Sequence, residues 1–291
     1  MNDINSAYLS KHRDILSFRD LSQSTINNYV SYLSAFLTWM EAELPDVPVA
    51  EVSWEQLRSY CLYLKNIRHL NSKTVNVHIA QLVSFFTYIL HRDWDSREVP
   101  YMRVDEKLPS VPTFEEVNTI IDSFTNLKHK AMIAVLYSSG IRVSELCRLR
   151  CGDIHASERF IFISRSKNRS ERRAILSEKA LVILTGYVRR DLKGAVRSDW
   201  LFPGQKPDSP VSTETVRRVF YDRLVALGWQ DKGFNLHSLR HAFGLHLYND
   251  GYDLMAIKEA MGHKSISSTT VYLTLGIGNG RSVKSPYDRD H

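Results

Sequence analysis

Residues 237–241 read His-Ser-Leu-Arg-His and open a helix predicted over about 237–249. That spacing sets His237 and His241 one helical turn apart on the same face. Two histidines so placed could hold a metal ion. A protease-like zinc pair, however, carries a glutamate between its histidines, whereas Arg240 here would set a cation beside the metal. No metal is expected. Outward from this run stand three further features: Arg142 within Ser-Ser-Gly-Ile-Arg-Val-Ser-Glu-Leu (138–146), His263 after Gly262, and Tyr272 within Thr-Thr-Val-Tyr-Leu (269–273). Each alone has a plain structural reading. A tyrosine on a short helix packs, a histidine after glycine caps a helix against its dipole, and Arg142 can pair with Glu145 three residues on.

The rest of the chain is mostly helical in pattern. Ile26, Val30, Leu33, Leu37 and Met40 form one apolar stripe, predicting a helix from about Ser22 to Glu43. Ser53 with Gln56 reads as a capping box opening a helix through Lys65. Ser72 is expected to cap a third helix, with Val75, Ile79, Leu82, Phe86 and Leu90 buried. A shorter helix is expected before Arg19. Periodicity lapses between Asp93 and Pro112, where three prolines and mixed charge read as a linker. Thr113 and Glu116 form another capping box, and helices are predicted at about 113–124, 127–138, 143–149, 177–192, 213–227, 253–261 and 266–274. The one clear β signal is a hairpin, Arg159 to Ser164 and Arg173 to Leu176, across a short polar turn. The expected division is a helical domain over 1–95, a linker over 96–110 and a second domain over 111–291.

The 291 residues exceed one comfortable core and suit two domains. With 43% hydrophobic and 24% charged residues, disorder and low complexity are excluded. The longest apolar run, Ala131 to Tyr137, is seven residues, where a membrane span needs about 20. The opening residues have no signal-peptide core, and three cysteines without Cys-x-x-Cys spacing form neither a disulfide framework nor a zinc ribbon. A cytoplasmic, nucleoid-associated protein is expected. Residues 1–100 hold 9 basic and 11 acidic side chains, leaving 29 and 21 in the remainder. A basic excess confined to the second domain suits a polyanion such as nucleic acid, although a solvated surface explains it equally well.

Taken together, Gly-Ile-Arg-Val-Ser-Glu (140–145), His-x-x-Arg (237–240), Gly-His (262–263) and Tyr272 nine residues later resemble the tyrosine recombinase, or phage integrase, family. The order and spacing follow that family's signature of Arg, Lys, His-x-x-Arg, His or Trp, and Tyr. The compact length is most similar to Xer-type recombinases and small transposon integrases. The resemblance implies a mainly α fold: an N-terminal SAM-like helical bundle that clamps DNA, and a C-terminal mixed α/β catalytic domain with a small antiparallel sheet. It implies a site-specific DNA recombinase working through a covalent 3′-phosphotyrosyl intermediate. Double-stranded DNA at a specific site is the implied partner, with a tetramer exchanging strands through a Holliday junction. An accessory recombinase or directionality factor is a further implied partner; no cofactor, metal or membrane is. A type IB topoisomerase, which shares the chemistry, is the alternative.

The residue types suit those roles. A phenol attacking a phosphodiester needs an in-line position and charge stabilisation at phosphorus. Tyr272 matches the nucleophile, and Arg142 and Arg240 match the non-bridging oxygens, because a guanidinium stays charged and presents a fork. His263 would add a hydrogen bond to the same phosphoryl group. His237 suits proton transfer at the tyrosine hydroxyl. Lys167, the only lysine in the turn 164–173, matches the family's acid for the leaving 5′-oxygen. Arg165, Arg169, Arg172 and Arg173 are expected to grip backbone phosphates, and Glu145 to orient its neighbours. Three departures stand out. Met261 occupies the usual leucine position before Gly-His. Gly276, Gly278 and Gly280 argue against a helix in the tail. The acidic N-terminal domain needs its cations, Arg58, Lys65, Arg68 and Lys73, gathered on one side.

Overall fold

The computed structural model describes residues 2–105, 108–164, 171–263 and 265–276. The chain divides into two compact units, Met1–Lys107 and Leu108–His291. In the first, α1 (Asp3–Phe18), α2 (Gln23–Glu43), α3 (Trp54–Asn66) and α4 (Ser72–Tyr88) form the bundle. Ser22 caps α2 through the amide of Thr25, and the Ser53–Gln56 box closes around the start of α3. The cap of α4 is Asn71 rather than Ser72: its carboxamide oxygen accepts the Thr74 amide at 2.9 Å, one residue earlier than predicted. Most of the predicted stripes meet in one core, where Leu33, Phe36, Leu37 and Met40 pack on Leu57, Tyr60, Val75, Ile79, Phe85 and Phe86. Ile26 and Val30, at the start of the α2 stripe, instead pack with Leu16 of α1, and Leu90, past the end of α4, is half-buried rather than buried. Lys65, Arg68 and Lys73 are exposed around the α3–α4 connection. Arg58 differs from that group, since its guanidinium is tied to the Glu98 carboxylate at 2.7 Å.

The core of this unit also holds His12, fully buried on α1 with its ring edge-on to Phe85. Burial pushes its pKa down to about 4. The unfolded chain binds this proton below about pH 6.5, whereas the folded chain does so only near 4. Stability from this group is therefore complete above pH 6.5 and is lost as the pH falls towards 4. Moving from pH 7 to pH 5 should cost about 2 kcal/mol. Urea unfolding of the wild type and His12→Leu at both pH values tests this; an equal acid-induced loss in the two proteins would refute it.

The second unit is built around α6 (Leu127–Ser139), in which every residue from Ala131 to Leu136 is buried. A helix apolar on all sides can only lie inside. Around it are α5 (Phe114–Asp122), α7 (Val143–Leu146), α8 (Glu178–Asp191), α9 (Thr213–Ala226) and α10 (Leu236–Asn249). Two shorter helices, α11 (Leu254–Met261) and α12 (Ser267–Gly276), follow. The Thr113–Glu116 capping box opens α5 as expected. The sheet has three strands, β1 (Ile154–His155), β2 (Phe160–Ile163) and β3 (Arg172–Ile175), all antiparallel in the order β1-β2-β3. Only β1 lacked a signal, because two residues are too few to show alternation. Ile161 pairs with Ala174 and Ile163 with Arg172, so the buried face of the hairpin leads to Arg172. Arg173, on the opposite face, lies over the Phe160 ring at 4.7 Å. Among the described residues no helix is long and apolar enough to cross a membrane.

Candidate active site

Four local structures bring the distant motifs together. Gly140 ends α6 in a left-handed conformation (φ 60°), and a Cβ there would collide with the Phe243 ring. Glycine therefore both turns the chain and lets α10 approach. Arg142 then stands at the N-cap of α7, where its amide donates to Glu145 Oε2 at 2.8 Å and its guanidinium to Oε1 at 3.3 Å. Arg240 projects from α10 into the same place, almost wholly buried. It donates to the Gly140 carbonyl and, at 2.7 Å, to the Met261 carbonyl. Both acceptors lie at helix C-termini, where orphan carbonyls and the dipole favour a cation.

Gly262 closes α11, again left-handed (φ 62°), and the space where its Cβ would stand is filled by the Arg172 guanidinium. Arg172 thus reaches from β3 under the α11 terminus. Its two terminal nitrogens donate to Glu145 at 3.0 and 2.9 Å. This differs from the expectation that Arg172 grips DNA beside its neighbours, since its fork is occupied by a carboxylate. Burial alone would raise the Glu145 pKa, but the Arg172 and Arg142 hydrogen bonds and charges hold it at about 2. Three guanidinium groups around one carboxylate leave an anion-seeking site.

Burial and the neighbouring arginines disfavour the charged form of both histidines of the signature. His263 Nδ1 lies 2.9 Å from Thr269 Oγ1, and burial together with Arg240 and Arg142 pushes its pKa down to about 4. His237 is exposed at the start of α10, and desolvation of its ring, then Arg240 and Arg142, lower its pKa. Tyr272 on α12 is fully buried, and burial raises its pKa to about 12. Its hydroxyl lies 3.5 Å from His241 Nδ1 and 3.5 Å from Met261 Sδ. The ring rests on Gly244, where a Cβ would meet the tyrosine Cζ, Cε2 and hydroxyl.

The site thus gathers Arg142, Glu145, Arg172, Arg240, His237 and His263, with Tyr272 behind them. Lys167, Arg165 and Arg169 lie outside the described residues, as does the tail after Gly276. The sequence reading missed His241, Gly244 and Met261 as the seat of the tyrosine. For His241 the signal is its place one turn beyond His237, a spacing that suits a shared proton path as well as a metal pair. Gly244 carried none.

Residues 111–276 match the model of the phage integrase family, and residues 8–96 that of the phage integrase N-terminal SAM-like domain. A putative integrase/recombinase of Sinorhizobium fredii is 30% identical over 94% of this chain and 86% of its own length. The tyrosine recombinase XerD of Oceanobacillus iheyensis is 29% identical over 87% of this chain and 88% of that one. Among solved structures, the XerH site-specific recombinase bound to its difH substrate aligns with a TM-score of 0.70 at 20% identity, covering 94% of this chain and 84% of that one. A lambda integrase dimer bound to a core site aligns with a TM-score of 0.71 at 19% identity, covering 98% and 99%. These matches define a site-specific DNA recombinase of the tyrosine type. The chain belongs to the phage integrase family.

Proposed function

We propose that Tyr272 is the nucleophile with which this site-specific DNA recombinase cuts and rejoins strands, forming a 3′-phosphotyrosyl bond. The observation that carries this reading is the convergence of Arg142 and Arg240 beside a tyrosine. Arg240 keeps N–H groups beyond the two that bind Gly140 and Met261, and Arg142 is a quarter exposed. A phosphodiester lodged there has its non-bridging charge met by two forks, and His263 adds a donor. Glu145, with Arg172 on its other side, fixes where Arg142 points. Lys167 protonates the leaving 5′-oxygen, and Arg165, Arg169 and Arg173 hold the backbone. The N-terminal unit clamps the duplex with Lys65, Arg68 and Lys73. Four protomers on two duplexes exchange strands in pairs through a Holliday junction, with an accessory recombinase or directionality factor, at the nucleoid.

The test begins with a duplex selected by this chain from a library of randomised inverted repeats. Nicked versions should trap a covalent adduct, and peptide mapping should place the phosphotyrosine at Tyr272. Tyr272→Phe should bind the duplex as tightly and form no adduct, because one oxygen is removed. An adduct at Tyr248 or Tyr252 would overturn the assignment. Relaxation of supercoiled plasmid lacking the selected site, at the rate of site cleavage, would instead mark a topoisomerase.

A further inference from the structure

The ring that borders the Tyr272 oxygen is not the histidine of the His-x-x-Arg motif but the one immediately after its arginine. His241 Nδ1 lies 3.5 Å from the hydroxyl, at the outer edge of hydrogen-bond distance, and no other ring nitrogen hydrogen-bonds to that oxygen among the described residues. The His237 ring, exposed, stands edge-on to His241 with centroids 4.5 Å apart. The three side chains therefore run in series from a buried phenol to solvent. Resting on the reading of Tyr272 as nucleophile, we infer that His241 takes the phenolic proton as Tyr272 attacks, with His237 linking it to solvent.

The step balances. The Tyr272 oxygen forms a bond to phosphorus while the P–O5′ bond breaks; the phenolic proton goes to His241 Nδ1, and the 5′-oxygen receives a separate proton from the acid. On rejoining, the 5′-hydroxyl attacks and gives its proton back to that acid, Tyr272 leaves, and His241 returns the phenolic proton. This requires His241 to carry its resting hydrogen on Nε2, leaving Nδ1 free to accept. The ionisable groups facing His241 are His237 and Arg240 on α10, His263 after α11 and Tyr272 on α12. On the side of α5 and α6, Tyr137 and Glu115 face His246 instead. Burial, then His237 and Arg240, keep the ring neutral. A phosphate between the arginines offsets their charge and strengthens the base when DNA is present.

The test compares wild type and His241→Asn on the selected duplex, with single-turnover cleavage followed from pH 5 to 10. Asparagine keeps a polar atom near the Nδ1 position but cannot carry the proton. Cleavage at pH 7 should fall about 10²-fold, and the variant's rate should then climb tenfold per pH unit as hydroxide ionises Tyr272. The defect should be equally large with sulfur at the 5′-bridging position, since sulfur relieves only the leaving group. A pH-independent defect, a rate within threefold of wild type, or rescue by sulfur would each overturn the inference. Should His241→Asn fail to fold, imidazole ¹⁵N spectra decide it: the wild type should show an unprotonated Nδ1 that shifts in Tyr272→Phe. A protonated Nδ1, or no shift, overturns it. Absence of any adduct at Tyr272 in the wild type would refute the nucleophile itself, a separate result.

Discussion

Arg240→Ala should cleave its DNA about 10²- to 10³-fold more slowly than the wild type, because a preorganised charge donor is lost where charge develops. The structure adds a second consequence. Arg240 also satisfies the Gly140 and Met261 carbonyls, which end α6 and α11. Removing it leaves buried acceptors unpaired, at about 1–3 kcal/mol, so the melting temperature should drop as well. Arg142→Ala separates the two effects. Its guanidinium is more exposed and its carboxylate partner keeps Arg172, so cleavage should fall comparably with a smaller loss of stability. Both variants should retain most of their DNA affinity, which the other basic residues supply. EDTA should leave wild-type cleavage unchanged. Wild-type rates in either variant at saturating protein, or cleavage abolished by EDTA, would remove the arginines from the mechanism and favour a metal nuclease.

The motifs were legible because chemistry fixes their residue types and helices fix their spacing. His237 and Arg240 share a turn of α10, and Gly262 precedes His263 because a left-handed cap needs glycine. Helix starts at Ser53 and Thr113 were readable because each cap side chain accepts from the amide three residues on, whose own side chain accepts in return from the cap amide. What was not legible depends on tertiary approach. Nothing local says that Arg172 turns inward to Glu145, 27 residues away, while Arg173 lies outward on Phe160. Strand alternation puts the two on opposite faces but does not say which face is buried. Likewise, Gly244 looks like a weak spot in a helix until the Tyr272 ring is seen lying against it.

Lys167 is separated from a mere phosphate grip by the leaving group it would serve. As the acid, its loss should slow cleavage of ordinary DNA by about 10²- to 10⁴-fold, since an alkoxide is expelled poorly without a proton. A 5′-bridging sulfur leaves as a thiolate, whose conjugate acid has a pKa near 8.5, so it hardly needs protonation. Lys167→Ala should therefore cleave the sulfur substrate at close to the wild-type rate. Arginine in its place should not restore the oxygen substrate, because a guanidinium keeps its proton. Arg142→Ala should stay slow on both, its charge acting on the non-bridging oxygens. If Lys167 instead only holds the backbone, its loss would weaken binding and lower the salt slope by about one. Single-turnover cleavage at saturating protein would then be nearly normal on both substrates. Equal defects on oxygen and sulfur would take Lys167 out of the proton-transfer step and leave the acid to be sought elsewhere in the site.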